Sequence, residues 1–114
     1  MNPVGIINRQ NQCLQALSQG NTQLKTLSLE KAKTEREYRV ALAQEILRLK
    51  TEKNQATLAM KLAEGNEQVA DLRIKRDVAE SSYFTCISAI ENLRLEADIL
   101  RSQLAWLKAE MTNS

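Results

Sequence analysis

The chain has 114 residues, 43% of them hydrophobic and only 4% aromatic, with three Gly, one Pro and no His. So few turn formers and aromatics exclude a β-sandwich, a barrel or a doubly wound sheet and leave an all-helical protein. Sixteen basic and fourteen acidic residues give a net charge of +2, too little for a polycation. With no histidine and two cysteines, the commonest proton shuttle, a zinc knuckle and a disulfide framework are all missing, which points to a protein that is not an enzyme and takes no cofactor or metal.

The charge is uneven along the chain: residues 1–63 carry ten basic and five acidic side chains (+5), residues 64–114 six and nine (−3). Opposite net charge suits two segments that pack on each other and concentrates positive potential on the first. The N-terminus has no basic flank before an apolar stretch of signal-peptide length, and no run approaches the roughly 20 apolar residues of a membrane span. These features predict a soluble, cytoplasmic protein with no membrane partner, in which Cys13 and Cys86 are reduced thiols.

In chain order, Ile6 to Ser18 predicts a short helix with Ile7, Leu14 and Leu17 on one side, closed by Gly20 as a C-cap glycine. Residues 1–20 then form a short N-terminal helix or arm. Beyond Asn21-Thr22 no Gly or Pro interrupts a helix until Ala63-Glu64-Gly65-Asn66, and none interrupts the stretch from Glu67 to about Met111. Two long segments of similar length about one Gly-Asn turn predict that residues 21–114 form a long antiparallel helical hairpin, turning at 64–67.

The second helix has the most regular pattern. Val69, Leu72, Arg76, Ala79, Tyr83, Cys86, Ile90, Leu93, Ala97, Leu100, Leu104, Leu107 and Met111 advance by threes and fours, a coiled-coil seam with Arg76 as its one charge. The first helix answers with Tyr38, Leu42, Ile46, Leu49, Lys53, Ala56, Met60 and Ala63. Folding about Gly65 places residue i near residue 131 minus i, which brings Arg76 within a turn of Glu52 as its counter-charge.

A further row runs along the other side of the second helix: Ile74, Val78, Ser81, Thr85, Ser88, Asn92, Leu95, Ile99, Ser102, Trp106 and Ala109. A hairpin needs only one apolar seam, so this face either packs on another subunit or is covered by the N-terminal helix folding back. The first option is the expectation, with Ile74, Val78, Leu95, Ile99 and Trp106 at the interface of a homo-oligomer, Trp106 its anchor, and the serines permitting close approach.

No phosphate loop, HExxH or CxxC is present, and Cys86 at a seam position reads as a small hydrophobe. The basic residues are the chemical feature. Arg36, Arg39, Lys50 and Lys53 fall on one side of the first helix, with Lys25 and Lys61 roughly in line, while Arg73, Arg94, Arg101 and Lys108 flank the seam of the second. Either these rows form salt bridges with residues such as Glu80, Glu96 and Glu110, or the first row, multiplied by subunit symmetry, tracks a phosphate backbone.

The runs Glu37-Tyr38-Arg39-Val40-Ala41-Leu42-Ala43, Leu62-Ala63-Glu64-Gly65-Asn66, Val69-Ala70-Asp71-Leu72-Arg73 and Arg76-Asp77-Val78-Ala79-Glu80, then Tyr83 and Trp106 to Glu110, resemble a family of small bacteriophage proteins. That family is encoded among early replication and recombination genes. More distantly, the hairpin pattern is similar to the UvsY-type recombination mediators, oligomeric helical proteins that load a recombinase onto single-stranded DNA. The resemblance implies a non-enzymatic oligomeric phage accessory protein of the host cytoplasm, binding single-stranded DNA or the recombinase or single-strand-binding protein that coats it. The alternative is a protein-interaction coiled coil, such as an anti-defence factor or an assembly or scaffolding part.

Overall fold

The computed structural model describes residues 2–113. It is an all-α helical hairpin of three helices, α1 (Pro3–Thr51), α2 (Ala56–Glu64) and α3 (Glu67–Asn113), with no strand among the described residues. The chain divides into two compact units, Met1–Lys25 with Phe84–Ser114 (unit 1) and Thr26–Tyr83 (unit 2). The outer ends of the predicted 1–20 and 21–114 segments, Met1 and Ser114, lie outside the described residues.

The helix starts are set by local chemistry. Asn2 Oδ1 accepts from the Gly5 N–H at 2.7 Å, and Pro3 fills the first helical position, where its missing N–H costs nothing. Asn66 caps α3 in the same way, accepting from Val69 N–H at 3.1 Å, with Glu67 in the first turn complementing the helix dipole.

Gly20 does not end a helix: α1 runs through it to Thr51, so the short N-terminal helix expected over residues 1–20 is part of one 49-residue helix. The reason lies in unit 1, where a Cβ on Gly20 would stand 3.1 Å from Ile90 Cγ1. The glycine lets α3 approach α1 closely, and that packing offsets the roughly 1 kcal/mol helix penalty of glycine. The inward side of this stretch is also different from the expected one. Ile6 and Cys13 are buried, clustered with Leu100 against Leu93, Ala97, Leu104 and Leu107, whereas Ile7 and Leu14 are exposed.

In unit 2 the uninterrupted helix expected over 21–63 breaks after Thr51. The break is a Schellman motif: Lys53 N–H bonds Lys50 O at 3.0 Å and Asn54 N–H bonds Leu49 O at 3.3 Å. The Asn54 side-chain amide adds a bond to the same Leu49 oxygen at 2.8 Å. Lys53 occupies the left-handed position, φ 67°, that glycine usually fills. The chain therefore reverses here, and α2 packs back with Ala59 and Ala63 buried against Leu49, Leu42 and Ile46. Ala56, Met60 and Lys53, expected in the seam, are exposed; the small faces of Ala59 and Ala63 allow the closer approach. The predicted turn at Gly65-Asn66 is present and leads into α3. Gly65 has φ −85°, an ordinary right-handed value.

This reversal changes the pairing of α1 with α3. In unit 2 Arg76 lies over Tyr38, numbers that total 114, and in unit 1 Arg9 meets Glu96, numbers that total 105. The expected total of 131 fails because residues 52–64 are spent on the corner and on α2. The α3 seam itself holds: Val69, Ala79, Cys86, Ile90 and Leu100 are buried, and Leu72, Arg76, Tyr83, Leu93, Ala97, Leu104 and Leu107 half-buried, while Met111 is exposed. Thr34, buried on α1, turns its hydroxyl back to Glu30 O and Lys31 O at 2.9 and 3.1 Å, which satisfies it without a partner across the seam.

Candidate functional site: a cationic face and an apolar face

Arg36, Arg39 and Lys50 fall within a sector of about 60° on α1, at 100° per residue, on the side away from the buried Thr34, Tyr38 and Leu49. All three are exposed. Arg39 is tied to Glu35 at 2.6 Å, while among the described residues no ion pair engages Arg36 or Lys50. The other predicted basic residues do not complete a single row. Lys53 sits in the reversal rather than on the face of α1, and Lys61 is on α2; both are exposed. Lys25 is an exposed residue of unit 1.

The charge in the seam has a different partner from Glu52. Arg76 lies 4.4 Å from the Tyr38 ring centroid, 2.9 Å from Asp77 and 3.6 Å from Glu35 on α1. Glu52 instead pairs with Arg48 at 2.6 Å, which also holds Glu45. The Arg39 hydrogen bond, more than the nearby Arg76 charge, keeps the Glu35 carboxyl below its usual range, and Arg48 does the same for Glu45. Lys31 lies over the Tyr83 ring at 5.7 Å. The Arg76 cluster joins α1 to α3 through Tyr38 and Glu35, which makes it a structural clasp.

In unit 1 the expectation that Glu96 pairs with the flanking basic row is replaced by a bond between helices. Arg9 Nε and Nη2 grip the two Glu96 oxygens at 2.5 and 2.8 Å. Of the flanking row, Arg101 pairs with Asp98 at 2.9 Å, one turn back on α3. Burial, then the hydrogen bond and charge of Glu96, push the Cys13 thiol up from its ordinary value. Cys86 donates to Gly20 O at 3.7 Å; both cysteines are free and buried, as small hydrophobes would be.

The second α3 row is uncovered in each unit. Ile74 and Val78 in unit 2 are 59% and 60% exposed, and Leu95, Ile99 and Trp106 in unit 1 are 61%, 51% and 64% exposed. The first part of α1 packs on the seam, not on this row, so covering by a folded-back N-terminal segment does not occur. A groove of about 650 Å³ runs beside Ile99 and Trp106, with Ile6 and Leu107 in its walls. Periodicity alone located this row. The Schellman reversal and the inward Ile6 and Cys13 escaped it, because a lysine stands where glycine is usual and polar residues such as Gln10 and Thr34 interrupt the early α1 seam.

Among the described residues no group of three His, Cys, Asp or Glu is placed to hold a metal ion, and no helix is long and apolar enough to cross a membrane. The chain has no match among family models, curated proteins or solved structures.

Proposed function

We propose that the protein is a non-enzymatic, self-associating helical hairpin of a phage replication and recombination region, acting in the host cytoplasm. In this reading it binds single-stranded DNA or the recombinase or single-strand-binding protein that coats it. The observation that carries the reading is the division of labour in unit 2. The outer side of α1 presents Arg36 and Lys50 with no ion pair among the described residues, while α3 presents Ile74 and Val78, an apolar surface suited to another subunit. One subunit offers a few phosphate contacts; copies in an assembly convert them into a track through avidity. The resemblance of the Glu37–Ala43 and Leu62–Glu80 runs to phage proteins supports the same direction.

Fluorescence anisotropy with labelled single-stranded DNA at low and high salt tests it. Wild type should bind with little sequence preference. Changing Arg36, Arg39 and Lys50 to Glu should weaken binding severely, yet measurably at low salt, at unchanged oligomer size. Losing three contacts per subunit should flatten the log-affinity against log-salt slope by about 2. Absence of wild-type binding at low salt, or unimpaired binding by the triple variant, refutes the nucleic-acid reading.

The second reading, a protein-interaction coiled coil serving as an anti-defence factor or an assembly part, draws on one observation: Arg39, Arg48, Arg9 and Arg101 are already neutralised within the chain. It becomes the preferred one if DNA binding fails while self-association persists.

A further inference from the structure

We infer that the outer face of α1 in unit 2 docks an acidic amphipathic helix of another protein, laid along the stretch from Leu29 to Lys50. The inference rests on the protein-partner half of the reading above and adds the surface and the chemistry of its occupant.

Three aliphatics, Leu29, Val40 and Leu47, and three cations, Lys33, Arg36 and Lys50, share one row on α1. With Ala43 among them, the row advances in steps of 4, 3, 4, 3, 4 and 3, and every member is exposed. At about 100° per residue it lies within about 100° of the helix circumference, opposite the buried Thr34, Tyr38 and Leu49. Leu29, at 73%, is the most exposed large hydrophobic side chain among the described residues, so the core of the hairpin does not use this row. From 29 to 50 it spans about 32 Å, six turns.

The row is also free of acid. The α1 acids of this unit, Glu30, Glu35, Glu37 and Glu45, all fall outside it, and Arg39 and Arg48 already hold Glu35 and Glu45. Among the described residues Lys33, Arg36 and Lys50 have no ion pair, so their counter-charges must come from the occupant. The same row of a second copy would set cation against cation and is excluded. A helix with aliphatics at heptad spacing and acids beside them supplies both the apolar contacts and the missing charges. A phosphate backbone uses the cations alone, and stacking of bases calls for aromatic rings, which this row lacks. A membrane surface takes a helix whose apolar side is separate from its cations, whereas here the two alternate along one line.

Anisotropy of a labelled probe peptide, titrated with the full chain at low salt, tests this. The probe is a helix-forming peptide of about 21 residues with Leu at the a and d positions and Glu at e and g. Wild type should bind it at least tenfold more tightly than the same peptide with Lys in place of Glu. Leu29→Gln with Val40→Gln and Leu47→Gln should weaken that binding at least tenfold. Helicity by circular dichroism and mass by light scattering should stay as in wild type, and affinity for single-stranded DNA should stay within about twofold. If the triple variant loses helicity, Val40→Gln with Leu47→Gln is read in its place. No binding of the acidic peptide by wild type, or unimpaired binding by the glutamine variant, overturns the inference. An equal loss of DNA affinity in that variant overturns it in favour of a nucleic-acid contact, and a fall in oligomer mass overturns it in favour of a second copy. Loss of the peptide result with DNA binding intact leaves the nucleic-acid reading standing, and the converse leaves this inference standing alone.

Discussion

Replacing Arg76 should reveal how much one polar clasp contributes to joining α1 and α3 in unit 2. Its guanidinium stacks 4.4 Å from the Tyr38 ring centroid, and its side chain is 24% exposed. A cation over an aromatic face contributes about 0.5–1 kcal/mol when exposed and about 2 when desolvated, which places this contact near 1 kcal/mol. Asp77 is a neighbour on the same helix and orients Arg76 without joining helices; Glu35 at 3.6 Å is on α1 but is already held by Arg39. Tyr38 is therefore the main α1 partner. A double-mutant cycle of Arg76→Met and Tyr38→Leu, read by urea unfolding at one protein concentration, should give a coupling energy of about 1 kcal/mol. Arg76→Lys should lose most of it, since an ammonium lacks the flat guanidinium stack. A coupling below about 0.3 kcal/mol would refute the assignment and leave Arg76 as a solvated seam defect.

Two further outcomes follow from the same geometry. Lys53→Gly should stabilise the chain: relief of the left-handed backbone is worth about 1–2 kcal/mol and the added freedom of the unfolded chain costs about 0.4–1, leaving roughly 0.5–1 kcal/mol in urea unfolding. A loss of stability would contradict the Schellman reversal. The Glu35, Glu45 and Glu96 carboxyls are held below their ordinary 4.5 by Arg39, Arg48 and Arg9, so the unfolded chain takes up protons first on acidification. Their contribution is present above 4.5 and is lost as pH falls from there through the lowered values. The urea midpoint should drop in that window, less steeply for Glu96→Gln and less in high salt, and a Glu96→Gln profile matching wild type would refute it.

Sequence periodicity reached the all-α class, the α3 seam and the exposed second row because each depends on a repeat that one helix carries alone. Its failures were about which segments meet. Glycine signals a stop at Gly20 in sequence, yet inside a packed helix pair the missing Cβ lets Ile90 come close. At residues 52–55 the opposite happened: Lys53 and Asn54 end α1 with backbone bonds and a side-chain amide, and neither residue type signals an end as strongly as glycine or proline. The reversal at Lys53 also sets the partner of Arg76: it brings Tyr38 and Glu35 to Arg76 and leaves Glu52 with Arg48. The basic row was legible as residues but not as a surface, since Lys53 and Lys61 leave α1 once the chain reverses.

The corner made by residues 52–66 also separates two quantities that an ordinary hairpin ties together. In a two-helix turn, loop length dictates which residues of the arms lie side by side. Here α2 lies against the end of α1 through Ala59 and Ala63, while the alignment of α1 with α3 is fixed elsewhere, by Tyr38 under Arg76 in unit 2 and by Arg9 on Glu96 in unit 1. Changes at the exposed positions of the corner, away from Ala59, Ala63 and the Asn54 and Asn66 caps, therefore leave the alignment of the arms in place.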